Sequence, residues 1–127
     1  MSRCILIVDD DFISRLILKT TMQKVGFEVF EAENGEIALE IIENNEKIVL
    51  VSLDLNMPIM DGYAFLSEIN KSDLKSRLKI FVTSCYSRKD FLKTTLENDI
   101  DTTAVKNYFE KPFLMESFSE TMLSYTA

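Results

Sequence analysis

The run Ile48-Val49-Leu50-Val51-Ser52-Leu53, followed at once by Asp54, is the stretch of this sequence that most constrains the fold. It is almost entirely apolar, which is typical of a strand covered on both faces, and so of the centre of a parallel sheet. A second apolar run, from Cys4 to Val8, leads directly into Asp9 and Asp10. Because the ends of neighbouring parallel strands lie at one edge of a sheet, we expect these carboxylates to meet.

Strand and helix signals alternate along the rest of the chain, which predicts an α/β fold with helices on both faces of the sheet. The predicted strands span 3–8, 27–31, 48–53, 78–82 and 107–110, and the predicted helices span 12–24, a segment capped by Asn34, a segment through Phe65, 87–98 and 112–124. Ile13, Leu16 and Ile17 form the apolar stripe that indicates the first helix. The second strand alternates apolar and acidic residues and is expected at an edge, while the structure of 98–106 stays open.

Composition limits the class of protein. A chain of 127 residues with 46% hydrophobic residues can bury one core, so we expect a single domain over 1–127. A net charge of −7 argues against direct binding to nucleic acid or to an anionic membrane surface. No apolar run approaches a membrane span, and acidic residues follow the first strand too soon for a signal peptide, so a cytoplasmic location is expected.

Two side-chain types narrow the chemistry further. The sequence contains no histidine, which excludes zinc triads and histidine-dependent nucleophilic catalysis. Cys4 and Cys85 lie at a strand start and just past a strand end, so we expect reduced thiols and no disulfide.

Carboxylates that lie close together repel one another, so a cluster of them is expected to bind a cation. Asp9, Asp10 and Asp54 together offer oxygen ligands with room for water and a phosphate, which suits Mg²⁺ better than a softer metal. Lys111 ends another strand-like run just before Pro112 and supplies a positive charge at the same edge. We interpret this edge as a site that places a phosphoryl group on Asp54.

The order of the motifs resembles the receiver domain of two-component response regulators, over the whole chain. The matching segments are Val8-Asp9-Asp10-Asp11, Leu53-Asp54-Leu55-Asn56-Met57-Pro58 with Met60-Asp61-Gly62, Phe81-Val82-Thr83-Ser84, and Tyr108-Phe109-Glu110-Lys111-Pro112-Phe113. The resemblance implies a flavodoxin-like sheet of parallel strands in the order 2-1-3-4-5, as in stand-alone chemotaxis-type regulators. It also implies a cis bond between Lys111 and Pro112.

The resemblance also implies roles for individual residues. Asp54 matches the phosphoacceptor, which forms an aspartyl phosphate, and Asp10 matches a direct Mg²⁺ ligand. Asp9 would act on the metal mainly through water, and the backbone carbonyl of Asn56 would complete the ligand set.

A second group of residues would respond to the phosphoryl group. Lys111 matches a cation that pairs with Asp54 before phosphorylation and with a phosphate oxygen afterwards. Thr83 matches the hydroxyl that bonds the phosphoryl group, and Tyr108 matches the aromatic switch residue that turns inward when it does.

The implied partners are a sensor histidine kinase or a histidine phosphotransfer protein as donor, and an unidentified protein downstream. The chain departs from compact relatives at 98–105, where a longer polar segment replaces a short turn, so the family says little about the downstream surface. No output domain follows the last helix, so the chain is either a stand-alone receiver or part of a longer protein; Met1 directly before the first strand favours a natural start.

Two other functions use a similar cluster of acidic residues. A metal-dependent phosphatase with an aspartyl nucleophile typically needs a second acid two residues later, and here that position is Asn56. A binding module that works without phosphorylation would have no reason to keep all the pocket residues, and a metal titration would distinguish it.

Each motif also has an ordinary structural explanation. Asp9 to Asp11 could simply begin a helix, Thr83 could be a strand-end hydroxyl, and Tyr108 could belong to the core. We expect the aromatic and apolar positions Phe91, Phe113, Phe118 and Met122 to be core, and Arg15, Lys19 and Lys24 to form a solvated helix face.

Overall fold

Strands and helices alternate along the chain in the computed structural model, which describes residues 3–126. The elements are β1 Arg3–Val8, α1 Phe12–Lys24, β2 Phe27–Ala32, α2 Gly35–Glu43, β3 Leu50–Leu53, α3 Gly62–Asn70, α4 Leu74–Arg77, β4 Lys79–Ser84, α5 Arg88–Glu97, β5 Val105–Glu110 and α6 Met115–Ser124. Within these residues no helix combines the length and the apolar character needed to cross a membrane.

The strands form one parallel sheet in the order β2-β1-β3-β4-β5, which confirms the expected topology. β3 lies at the centre and is buried throughout, whereas β2 is an edge strand with several partly exposed residues. In the ladder Val8 pairs with Leu53, and Leu53 pairs with Val82. The residues that follow these strands therefore emerge side by side at the carboxyl edge.

Apolar side chains fill a separate core on each face of the sheet. α2, α3 and α5 cover one face, and α1 and α6 cover the other. Phe91, Phe118 and Met122 are buried, as expected from their spacing. Phe113 is partly buried and packs against the core that contains Phe118 and Met122. Two helical layers around a buried parallel sheet explain why β1, β3 and β4 read as continuous apolar runs.

Helix α1 has the predicted bounds, but the apolar stripe that predicted it faces solvent and not the core. Ile13, Leu16 and Ile17 are 57%, 44% and 48% exposed, and the helix buries Leu18 and Met22 instead. The helix thus has two apolar faces, and periodicity alone detects a helix without showing which face meets the sheet.

Some element bounds differ from the predicted ones. The short helix α4 was not predicted; Arg77 at its end donates from Nη2 to the carbonyl oxygen of Ile42 at the end of α2, at 3.1 Å. β5 begins at Val105 rather than Asn107, because the pairing with β4 continues across a register shift next to Ile80. α6 begins at Met115 rather than at Pro112.

The segment 98–104, whose structure the sequence left open, is a loop held against α3 and α4. The side-chain amide of Asn70 donates to the carbonyl oxygen of Asp101 at 2.8 Å. The carboxylate of Asp101 forms an ion pair with Lys75 and accepts a hydrogen bond from the backbone N–H of Thr103. The segment connects α5 to β5, and Ala104, the residue just before β5, is buried.

Candidate functional site

Three carboxylates meet at the carboxyl edge of the sheet. Asp9 and Asp10 follow β1 and Asp54 follows β3, and one carboxylate oxygen from each lies within 4.8 Å of the others. Asp9 and Asp54 are only 1% and 7% exposed, whereas Asp10 is exposed. The predicted convergence of these charges is confirmed, and it concentrates negative charge where two of the groups have lost most of their water.

Asp9 is fixed by hydrogen bonds to its backbone and to both carboxylate oxygens. Its backbone N–H donates to the carbonyl oxygen of Ala32 in β2 at 3.0 Å. Its Oδ1 accepts the backbone N–H of Asp11 at 2.9 Å, and its Oδ2 accepts a hydrogen bond from Lys111 Nζ at 3.2 Å. Asp11 itself caps α1 by accepting the backbone N–H of Ser14. The acidic run therefore both begins a helix, as Asp11 shows, and supplies the pocket.

The direct ion pair of Lys111 is formed with Asp9, whereas the sequence prediction paired Lys111 with Asp54. Burial alone would lower the pKa of Lys111, but the negative charges of Asp9 and Asp54 outweigh it and raise that pKa. The amine therefore stays charged and interacts with both carboxylates, although its hydrogen bond goes to the more buried one. The Lys111–Pro112 peptide bond is cis, as expected.

Asp54 holds a proton more tightly than an ordinary aspartate. Burial is the main cause and the charge of Asp9 the second, and together they raise the pKa of Asp54 to about 6 despite the opposing charge of Lys111. The backbone N–H of Asn56 donates to this carboxylate and acts to lower its pKa. Asn56 is exposed in the loop after β3, at the mouth of the cluster.

Thr83 lies on β4, the strand next to the one that Asp54 follows, and Tyr108 lies on β5, one strand further out. Thr83 directly follows Val82, the partner of Leu53, so it emerges next to Asp54. The Thr83 side chain is fully buried, and its hydroxyl has no hydrogen-bond partner among the described residues. Tyr108 is half-buried: its hydroxyl donates to the carbonyl oxygen of Tyr86 at 2.8 Å, and its ring centroid lies 5.2 Å from that of Phe91.

The loop after β3 brings the start of α3 against the strand end. A Cβ on Gly62 would lie 2.7 Å from the carbonyl oxygen of Asp54 and 2.8 Å from Cα of Leu55, so only glycine allows this approach. Asp61 caps α3 by accepting the backbone N–H of Ala64 at 2.9 Å. Gly62 therefore fixes the backbone from which the Asp54 side chain projects.

The residues present fit a hard divalent cation. Carboxylate oxygens within a few ångströms of one another are the ligands that Mg²⁺ prefers, and the exposed position of Asp10 leaves access for water. The buried hydroxyl of Thr83, which has no hydrogen-bond partner within residues 3–126, offers a donor to an oxygen-rich group bound beside Asp54. This edge of the sheet could thus hold a metal ion together with an anion.

Two residues near the site were not predicted to contribute to it. Arg15, expected on a solvated face, has a side chain only 14% exposed, and its Nη1 donates to the carbonyl oxygen of Asp9 at 2.7 Å. Glu110, next to Lys111, accepts the backbone N–H of Arg88 at the start of α5 at 2.8 Å. Sequence periodicity signals neither contact, because the first depends on how α1 packs against the end of β1 and the second joins residues 22 positions apart.

Comparisons with known proteins agree with this geometry. Residues 5–120 match the family described as the response regulator receiver domain. Sporulation initiation phosphotransferase F of Bacillus subtilis (strain 168) is 30% identical over 125 residues, covering 98% of this chain and 94% of its own length. Chemotaxis protein CheY of the same organism is 33% identical over 127 residues, covering 96% of this chain and 99% of its own length.

A solved structure shows the same fold. The CheX–CheY–BeF₃–Mg complex from Borrelia burgdorferi contains a chain that is 26% identical, with a TM-score of 0.82 and coverage of 98% of this chain and 90% of that one. The chain described here belongs to the response regulator receiver domain family, as its motifs suggested.

Proposed function

We propose that this protein is a phosphoacceptor signalling domain that takes a phosphoryl group onto Asp54 with the help of Mg²⁺. The observation that carries the proposal is the meeting of Asp9, Asp10 and Asp54 beside the ammonium group of Lys111. The ligands would be the three carboxylates together with the backbone carbonyl of Asn56. Bound there, the metal would neutralise charge on the phosphoryl oxygens during transfer.

The reaction is a displacement at phosphorus. A carboxylate oxygen of Asp54 forms a bond to the phosphorus of a phosphohistidine, the P–N bond breaks, and the imidazole of the donor leaves. Asp54 must be ionised to attack, and a pKa of about 6 leaves most molecules ionised at neutral pH even without a cation. Lys111 then donates to a phosphoryl oxygen, and the buried hydroxyl of Thr83 donates to another.

A sensor histidine kinase or a histidine phosphotransfer protein would supply the phosphoryl group, and an unidentified protein would read the result, both in the cytoplasm. Among the similar proteins, one is named a phosphotransferase and another was solved with BeF₃ and Mg, and both names support this assignment. The domain would catalyse only its own phosphorylation and dephosphorylation. A phosphatase acting on other substrates is disfavoured, because the amide of Asn56 cannot protonate a leaving group.

The decisive experiment uses a small phosphodonor. Incubation with acetyl phosphate and Mg²⁺ should add the mass of a single phosphoryl group, detected by intact mass spectrometry and mapped by peptide analysis to Asp54. Asp54→Asn should abolish the addition, and Lys111→Ala should slow it greatly.

Asp61→Asn is the matched control, because it makes the same change in the loop after Asp54 and asparagine still caps a helix. It should be phosphorylated like the wild type. Phosphoryl transfer that persists in Asp54→Asn, or that maps to another residue, would refute the proposal.

A further inference from the structure

Arg15, in α1, contacts both β2 and the turn after β1 that carries Asp9 and Asp10. Its Nη1 donates to the backbone carbonyl oxygen of Asp9 at 2.7 Å, and its Nε lies 3.4 Å from Oε1 of Glu31 in β2. Only 14% of the Arg15 side chain is exposed, so most of it is covered where α1 packs against the sheet. Lys19, further along α1, pairs with the other oxygen of Glu31 at 3.1 Å.

The bonded carbonyl belongs to the peptide that joins Asp9 to Asp10. Because a peptide group is planar, holding its oxygen fixes the orientation of the plane and hence the direction in which Asp10 leaves the strand. The backbone N–H of Asp9 is already bound to Ala32, so the guanidinium completes the restraint. Carboxylates that repel each other need such a restraint if they are to stay together before a cation arrives.

We propose that Arg15 is a positioning residue for the metal site: it holds the Asp9–Asp10 peptide so that both carboxylates stay directed at Asp54. This inference rests on the proposed function, since it concerns the same cation. Glu31 contributes by orienting the guanidinium and by balancing its charge. Partners that orient metal ligands in this way are part of many metal sites, and their loss commonly weakens metal binding.

The charge of Arg15 and its positioning role predict opposite changes in metal affinity when the guanidinium is removed. A positive group near a cation site repels the cation, so loss of the guanidinium should tighten metal binding if only its charge mattered. If its role is to position the acidic pair, the same change should weaken metal binding. The sign of the change therefore separates the two roles.

The test is a titration of the full chain with Mg²⁺ by calorimetry. Arg15→Ala should bind the metal about tenfold more weakly than the wild type. Lys19→Ala is the matched control, because it removes the same charge and the same Glu31 partner from the same helix, and Lys19 forms no hydrogen bond or ion pair with Asp9. Its affinity should stay within about twofold of the wild type or tighten slightly.

Two further measurements exclude a general loss of structure. Arg15→Lys keeps the charge but not the fork that reaches both partners, and it should weaken Mg²⁺ binding by a smaller factor while circular dichroism stays that of the wild type. Phosphorylation of Arg15→Ala by acetyl phosphate should be slow at low Mg²⁺ and approach the wild-type rate at saturating Mg²⁺.

The outcomes are distinct. Unchanged or tighter Mg²⁺ binding in both Arg15 variants, with the wild type still phosphorylated on Asp54, would overturn the positioning role and leave the proposed function intact. Equal losses in Arg15→Ala and Lys19→Ala would also overturn it. A wild type that binds no Mg²⁺ would overturn both.

Discussion

Ile59 is held in a backbone conformation that a β-branched residue rarely adopts. Its φ is 67°, and the backbone N–H of Met60 donates to the carbonyl oxygen of Pro58 at 2.7 Å, which closes a tight turn around it. The side chain is 78% exposed, so packing does not compensate for the strain. Strain of this kind is often found next to functional sites, and here it lies in the loop that follows Asp54.

Replacing Ile59 by asparagine should therefore stabilise the protein. Asparagine tolerates positive φ better than isoleucine does, and little buried apolar surface is lost, so the free energy of unfolding should rise by about 1 kcal/mol. Urea unfolding followed by circular dichroism measures the change. Ile59→Val is the control, because valine keeps the β-branch and should bring no gain; equal stability of all three proteins would show that the turn is not strained.

In the acidic site, the sequence predicted which charged side chains meet but not which of them form the ion pair. Asp9, Asp10 and Asp54 could be placed together because each follows a strand whose place in the sheet was predictable. The partner of Lys111 could not, because Asp9 and Asp54 lie so close together that small displacements of a flexible side chain decide between them. The catalytic, metal-binding and switch roles of the site residues stay predictions.

Among the elements, α1 and the segment 98–104 show where periodicity stops being informative. A helix needs only one face toward the sheet, and α1 carries apolar residues on two, so its core face had to come from the structure. The segment 98–104 lacks any period because its position depends on individual contacts from Asn70 and Lys75. Sequence patterns report repeated burial, and they do not report single long-range contacts.

Asp101 is the residue on which the segment depends most. Lys75 and Thr103 both interact with its carboxylate and hold its pKa well below the usual range, so it stays charged at any ordinary pH. Asp101→Ala should accelerate amide hydrogen exchange at Thr103 and its neighbours, with little effect on β3 or β4. Mass spectrometry of exchanged peptides gives the readout.

Glu97→Ala removes the same charge from the exposed end of α5, just before the segment, and serves as the control for Asp101→Ala. It should leave exchange in the segment unchanged. Exchange that rises equally in both variants would mean that the segment responds to net charge and not to the contacts of Asp101.

The fold of the chain was predictable because the central strands β1 and β3 are apolar runs that are each followed directly by an aspartate. The expected α/β class, the strand order and the edge position of β2 are all confirmed. The same architecture lowers the stability of the fold at the site, because the buried sheet edge holds the negative charges of Asp9 and Asp54 close together. Stability and function are therefore linked through Asp54.

That link predicts how stability changes with pH in metal-free protein. The folded-state pKa of Asp54 is raised to about 6 from the ordinary aspartate value of 3.8, so the folded protein binds this proton more tightly than the unfolded chain does. The ionised carboxylate therefore destabilises the fold above pH 6, and this cost diminishes as the pH falls through 6 toward 4. Asparagine at this position carries no such cost at any pH.

Asp54→Asn should consequently be more stable than the wild type near neutral pH, by an amount on the order of 2 kcal/mol, and this advantage should shrink as the pH falls below 6. Urea unfolding at several pH values in EDTA measures it, and the pI near 4.6 sets the lower limit of the range. Saturating Mg²⁺ near neutral pH should reverse the order, because the cation stabilises only the site with all its carboxylates. A stability difference between the two proteins that did not change with pH would show that Asp54 titrates like an exposed carboxylate.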